Sequence, residues 1–123
     1  MRILELRALR GPNAYRRRPV IYMKLDIGEY EEKPTNMVPG FKEDLERLIP
    51  SLYEHECSEG AAGGFLSRVS EGTWLGHVVE HVALELQCLA NMNVQFGRTR
   101  SAKEVGVYNV VFAYEVEEAG LEA

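Results

Sequence analysis

The sequence predicts an α+β domain: a small, mainly antiparallel sheet of about three strands with helices packed on one face. Three observations carry this. Two segments near the N-terminus alternate apolar and polar residues with the period of two that a half-buried strand needs. Segments in the middle of the chain space apolar residues at helical intervals. The run VYNVVFAYEV (107–116) is rich in β-branched and aromatic residues and reads as a closing strand. The resulting order, β-β-α-α-α-β, gathers the helices into one block, which places them on one face of the sheet.

In the first strand, ILELRAL (3–9), Leu4, Leu6 and Ala8 share a face. In the second, VIYMKLDI (20–27), Ile21, Met23, Leu25 and Ile27 lie on one face and Tyr22, Lys24 and Asp26 on the other. Between them RGPNAYRRRP (10–19) reads as a basic loop, so the two strands form an antiparallel pair joined by a long connection. EYEEKPTNMVPG (29–40) is charged and punctuated by proline, and is expected to be irregular.

Phe41, Leu45, Leu48 and Leu52 are spaced for a helix over 40–55, which Pro50 breaks or kinks near its end. SEGAAGG (58–64) is a glycine-rich turn, and GFLSRVSEG (64–72) a short helix ending at Gly72. Thr73 suits the N-cap of the main helix, which runs to about Ala90. NMNVQFGRTRSAKEVG (91–106) is a second polar connection. The tail EEAGLEA reads as the start of another segment, as in a piece of a longer protein.

At 123 residues the chain makes one domain, 1–123, with enough length to bury a core. Its apolar runs fall short of the roughly 20 residues a membrane helix needs, and MRILELRALR lacks the continuous apolar stretch of a secretory signal. Cys57 and Cys88 show no CxxC spacing and are expected to be reduced thiols, which makes the cytoplasm the default location. A net charge of −5 argues against general nucleic-acid binding. The charge is split, however. Arg2, Arg7, Arg10, Arg16, Arg17 and Arg18 crowd the start, and Glu115, Glu117, Glu118 and Glu122 the end.

The residues with most chemistry lie in TWLGHVVEHVALELQCLA (73–90). On a helical wheel, Leu75, Val78, Val79, Val82, Leu86, Leu89 and Ala90 form one stripe expected to face the core. His77 and His81 fall opposite, one turn apart and roughly 6 Å along the axis, a workable bite for one metal ion. Glu80 flanks them on one edge and Glu85 on the other. The spacing is that of HxxEH, in which two histidines bind zinc and the glutamate acts as general base on water. Glu85 is the nearest local candidate for a third ligand, at a strained reach. Glu54, His55 or Glu56, from YEHE, could supply it if that segment packs against this face. The competing reading is a helix face on which His and Glu merely pair at i, i+3 and i, i+4.

Arg68, Arg98 and Arg100 stand beside glycines in SRVSEGTW and FGRTR, where guanidinium forks suit carboxylates. YRRRP (15–19) is a further basic cluster, and Trp74 is expected to pack in the core or against a neighbouring domain. There is no GxxxxGK[ST] or GxGxxG, so no nucleotide-phosphate cradle is expected.

LRGPN, EEKPTN, PGF, IPSLYEH, GGFLSRVSEGTWLGHVVEHVALELQ, FGRTR and GVYNVVFAYE together resemble the N-terminal domain of the cyanophycin synthetases, over nearly the whole chain. The resemblance implies a ligase that builds a polyaspartate backbone with arginine joined to each side chain. In that family an ATP-grasp domain and a Mur-ligase-like domain follow this one, and ATP and magnesium belong to those absent domains.

For this chain the resemblance implies binding of cyanophycin, contact with the synthetase's other domains, and a zinc-dependent hydrolase site that cuts polymer into primers. His77, Glu80 and His81 match its motif, with His77 and His81 as metal ligands and Glu80 as catalytic base; the reading of the residues themselves adds Glu85 as third ligand and Arg68, Arg98 and Arg100 as contacts to polymer carboxylates. The alternative is a non-catalytic module, without metal, that anchors polymer or mediates domain contacts. No nucleic acid and no membrane is expected as partner, and self-association into a homo-oligomer stays open.

Overall fold

The computed structural model describes residues 1–13, 18–55, 62–90, 92, 94–115 and 117–122. Tyr15, Arg16 and Arg17 of the basic loop, Glu56 and Cys57 lie outside the described residues. Strands β1 (Arg2–Leu9), β2 (Val20–Asp26), β3 (Gly97–Ser101) and β4 (Val107–Ala113) form one antiparallel sheet in the order β1-β2-β4-β3. The helices are α1 (Phe41–Leu48), α2 (Gly64–Glu71), α3 (Leu75–Leu89) and α4 (Glu117–Glu122). The α+β class holds, with one strand more than expected. β3 lies inside the connection 91–106, and GRTRS hides its strand character because it forms a sheet edge with little to bury.

β2 follows its alternation. Ile21, Met23, Leu25 and Ile27 are buried in the main core, while Tyr22, Lys24 and Asp26 face the other way. Its register sets Ile21 beside Phe112 and Met23 beside Val110, so β4 continues the same apolar face. β1 departs from the expected pattern. Its register slips between Ile3 and Glu5, so that Ile3 faces Leu25, Leu6 faces Met23 and Ala8 faces Ile21. A bulge at Leu4 inserts one residue and swaps the faces ahead of it. The shared face is therefore Ile3, Leu6 and Ala8, not Leu4, Leu6 and Ala8.

α1 ends before Pro50, which opens a 3-10 turn (Pro50–Glu54) as the proline predicts. The segment 29–40, expected to be irregular, contributes two short 3-10 turns, Gly28–Glu32 and Thr35–Met37. α2 stops at Gly72, whose φ of 118° an L-residue with a side chain rarely adopts. The buried Thr35 then clamps the corner between α2 and α3. Its hydroxyl donates to the Val69 carbonyl at 2.7 Å and accepts from the Thr73 amide at 3.0 Å, and its amide donates to the Thr73 carbonyl at 2.7 Å.

α3 is rotated from the wheel's prediction. Leu75, Val78, Val79 and Val82 do pack inward, but Leu86 and Leu89 are 41% and 59% exposed. The buried positions include Gly76, Glu80, His81, Ala83, Glu85 and Gln87. The reason is steric. A Cβ on Gly76 would stand 3.0 Å from the Thr99 side chain, so the helix lies too close to the sheet for large residues there. The Gln87 Nε2 donates to the Ala83 and Ala113 carbonyls, which offsets part of its burial, while its Oε1 is buried without a hydrogen-bond partner among the described residues. A second apolar cluster of Leu52, Phe65, Leu66, Val69 and Val78 flanks α3 away from the sheet. The histidine face is thus enclosed between that cluster and β3.

Candidate metal centre

α3 brings His77, Glu80 and His81 to one point, each with a donor atom within 4.8 Å of the others'. The imidazoles of His77 and His81 sit at 4.7 Å between centroids and nearly perpendicular. Phe65, fully buried on α2, sets both. It stacks on His81 at 4.1 Å and 16°, and meets His77 edge-on at 5.5 Å.

Each histidine is held at Nδ1. The Thr73 hydroxyl lies 3.1 Å from Nδ1 of His77; Thr73 therefore serves the site and makes no side-chain cap to α3, contrary to its predicted role. Nδ1 of His55, at the end of the 3-10 turn, lies 2.8 Å from Nδ1 of His81, and its Nε2 is 2.9 Å from Glu85 Oε1. Glu85 thus meets the cluster at one remove, through His55. Nε2 of His81 is 3.7 Å from Glu80 Oε2.

Glu80 is placed by β3. The Thr99 hydroxyl donates to its Oε1 at 2.7 Å, and a Cβ on Gly97 would stand 2.7 Å from its Cγ and Oε2. Only glycine lets the strand pass this close. Burial raises the Glu80 carboxyl above its ordinary pKa, opposed by the Thr99 hydrogen bond and by Arg100 and Arg98 nearby. Burial also lowers His77 to about 4, helped by Arg68, and His81 to about 3, helped by His77 and His55. Both imidazoles are neutral at pH 7, the form that offers a lone pair to a metal.

The cluster opens into a cavity of about 870 Å³ bordered by His77, Glu80, His81, Glu85, Arg68, Arg98 and Arg100, and by Glu54 and His55 of the alternative ligands. Arg98 and Arg100 pair with Val111 and Asn109, whereas Thr99 pairs with Val110 of the core face. Alternation therefore puts the two arginines on the far face of β3, and they reach the cavity at its rim. Trp74 is 39% exposed, borders the cavity and donates from Nε1 to the Glu31 carbonyl at 2.8 Å. Thr99 and Gly97 were not among the sequence candidates, and His55 was named only as an alternative ligand. A strand reading of FGRTR would have set Thr99 on the helix side, and His55 is the only remaining histidine of the chain's three.

His77 and His81, each braced at Nδ1, offer two neutral imidazoles suited to a metal ion, and the Glu80 carboxylate lies beside them within 4.8 Å. No helix among the described residues is long and apolar enough to cross a membrane.

Residues 22–123 match the model of the cyanophycin synthase-like N-terminal domain. Over 98% of its length the chain is 57% identical to the cyanophycin synthetase of Geminocystis herdmanii, and 55% identical to those of Synechocystis sp. and Crocosphaera subtropica. It spans 14% of the length of each of these relatives. By the family match and this identity, the chain belongs to the cyanophycin synthase-like N-terminal domain family.

Proposed function

We propose that this domain handles polymer for a cyanophycin synthetase, in the cytoplasm, and that the cleft over α3 holds zinc and cuts the polymer's backbone amides. The observation that supports this best is the convergence of His77, Glu80 and His81 at the floor of a cleft bordered by Arg68, Arg98 and Arg100 on one hand and Glu54 and Glu85 on the other. A cleft carrying both charges suits a zwitterionic chain.

His77 and His81 would hold the ion, and bound zinc would supply a Lewis acid that polarises the amide carbonyl and acidifies water. Glu80 takes the proton from the attacking water and returns it to the leaving nitrogen. Its raised proton affinity suits that exchange. Glu85 keeps His81 oriented through His55, which is a more direct use of its observed contact than ligation. Arg68, Arg98 and Arg100 draw polymer carboxylates to the cleft, and Glu54 faces guanidinium groups. Joining of aspartate and arginine, with its ATP and magnesium, falls to the remaining length of a synthetase.

The test is zinc content and cyanophycin cleavage, measured without a histidine tag. Wild type should carry near-stoichiometric zinc and release short chains. His77→Ala/His81→Ala should lose both, and Glu80→Gln should keep zinc but lose cleavage. Absence of zinc from wild type supplied with the metal overturns the hydrolase and leaves a polymer anchor.

A further inference from the structure

β3 is an edge strand, and the cavity lies along it: Gln95, Gly97, Arg98, Thr99 and Arg100 all border it. The backbone groups that β3 offers there follow from its pairing. Phe96 accepts from the Ala113 amide and Ala102 donates to the Val107 carbonyl, both at 2.8 Å. These two pairs frame the β3–β4 register, in which Gly97 faces Phe112, Thr99 faces Val110 and Ser101 faces Tyr108. In an antiparallel ladder hydrogen-bonded pairs alternate with non-bonded ones. Phe96, Arg98, Arg100 and Ala102 therefore bond to β4, while Gly97, Thr99 and Ser101 turn their N–H and C=O groups to the open edge. The next ladder confirms the parity: Ile27 donates to Gly106 at 2.8 Å, so Val110 and Phe112 belong to the set that bonds to β2. Among the described contacts the Thr99 carbonyl accepts only from the neighbouring Arg100 guanidinium, at 3.0 Å.

Two of these residues, Gly97 and Thr99, meet the Glu80 side chain. Thr99 donates to Glu80, and Gly97 passes directly over it. A chain hydrogen-bonded to Gly97, Thr99 and Ser101 would carry its own amides past Glu80. Its side groups would alternate between the α3 side, with His77 and His81, and the far side, where Arg98 and Arg100 stand.

We propose that the edge of β3 is the docking site for an extended polyamide whose side groups carry both carboxylate and guanidinium, bound as a fifth, added strand. This rests on the reading of the cleft as polymer-binding and specifies how the polymer is held. The backbone ladder sets the position of the amide over Glu80, and the charged rim selects the side groups.

The experiment is amide hydrogen exchange by NMR on the full chain, treated with chelator so that nothing is cut. The probe is a short synthetic polyaspartate bearing arginine on its side chains. In the free protein the Gly97, Thr99 and Ser101 amides exchange fast, and those of Arg98 and Arg100 slowly. Saturating probe should slow the first three at least roughly tenfold and leave Arg98 and Arg100 unchanged. Ser101→Pro, which removes an outward N–H without touching a β4 bond, should weaken probe binding roughly fivefold. If the probe binds and the three amides still exchange fast, edge docking is wrong and polymer binding stands. If the probe does not bind, both fall.

Discussion

The imidazoles of His55 and His81 meet nitrogen to nitrogen, Nδ1 to Nδ1, at 2.8 Å. One of the two must carry the proton, and the far side of His55 decides which. Its Nε2 is 2.9 Å from Glu85, and a carboxylate accepts, so Nε2 of His55 holds the hydrogen. In the His55 tautomer that carries its one ring hydrogen on Nε2, Nδ1 is bare, His81 donates to it, and Nε2 of His81 keeps its lone pair. That lone pair belongs to the atom 3.7 Å from Glu80, inside the cluster.

This gives the first prediction. Imidazole ¹⁵N spectra of the metal-free protein should show His81 protonated at Nδ1 and His55 at Nε2. His55→Phe should let His81 populate its other tautomer and weaken zinc binding roughly 10- to 100-fold, as loss of an outer partner does. Unchanged affinity, read by chelator competition, would make His55 a packing residue.

Gly97 makes the second prediction. An alanine methyl there would stand 2.7 Å from the Glu80 side chain, so the carboxylate must shift while the two histidines need not. Gly97→Ala should therefore retain zinc and a cooperative unfolding transition but lose at least roughly tenfold in cleavage, since a small misplacement of a catalytic group is enough for that. Equal loss of zinc and activity would mean that the whole seam between α3 and β3 had opened.

What was legible in the sequence, and what was not, divides along physical lines. Strict alternation in β2 and the proline at 50 act locally, so their consequences could be read directly. HVVEH marked the site because its spacing on a helix is itself a geometry. The rotation of α3 was hidden because the wheel weighs hydrophobicity. The sheet instead selected for small size at Gly76 and Ala83 and admitted a hydrogen-bonded Gln87. β3 was hidden because an edge strand built from arginine, threonine and glycine buries little. The pairing of His55 with Glu85 spans 30 residues and leaves no local trace.

Thr99 supplies the third prediction. Its hydroxyl opposes the upward pull of burial on the Glu80 carboxyl, so Thr99→Val should raise the proton affinity of Glu80 further. A base must be ionised to act. The acidic limb of the pH–kcat/KM profile for polymer cleavage should therefore move to higher pH, with the basic limb in place. An acidic limb that stays put would show that another group governs it.

The fourth prediction concerns stability of the metal-free protein. Burial holds His77 at about 4 and His81 at about 3, against an ordinary value of 6.5. Between pH 6.5 and about 4 the unfolded chain therefore binds more protons than the folded one, and stability must fall as pH falls through that window. Below about 3 both forms are protonated and this contribution levels off. The Glu80 carboxyl acts in the opposite sense, because a raised carboxyl favours the folded form on protonation. Glu80 is common to wild type and His77→Leu, so the difference between the two isolates the histidine contribution. Urea unfolding of chelator-treated protein should show the midpoint dropping steadily from pH 7 to pH 5, and His77→Leu should flatten that drop. A midpoint independent of pH across this range would mean that the histidine face is open to water and protonates as it does in the unfolded chain.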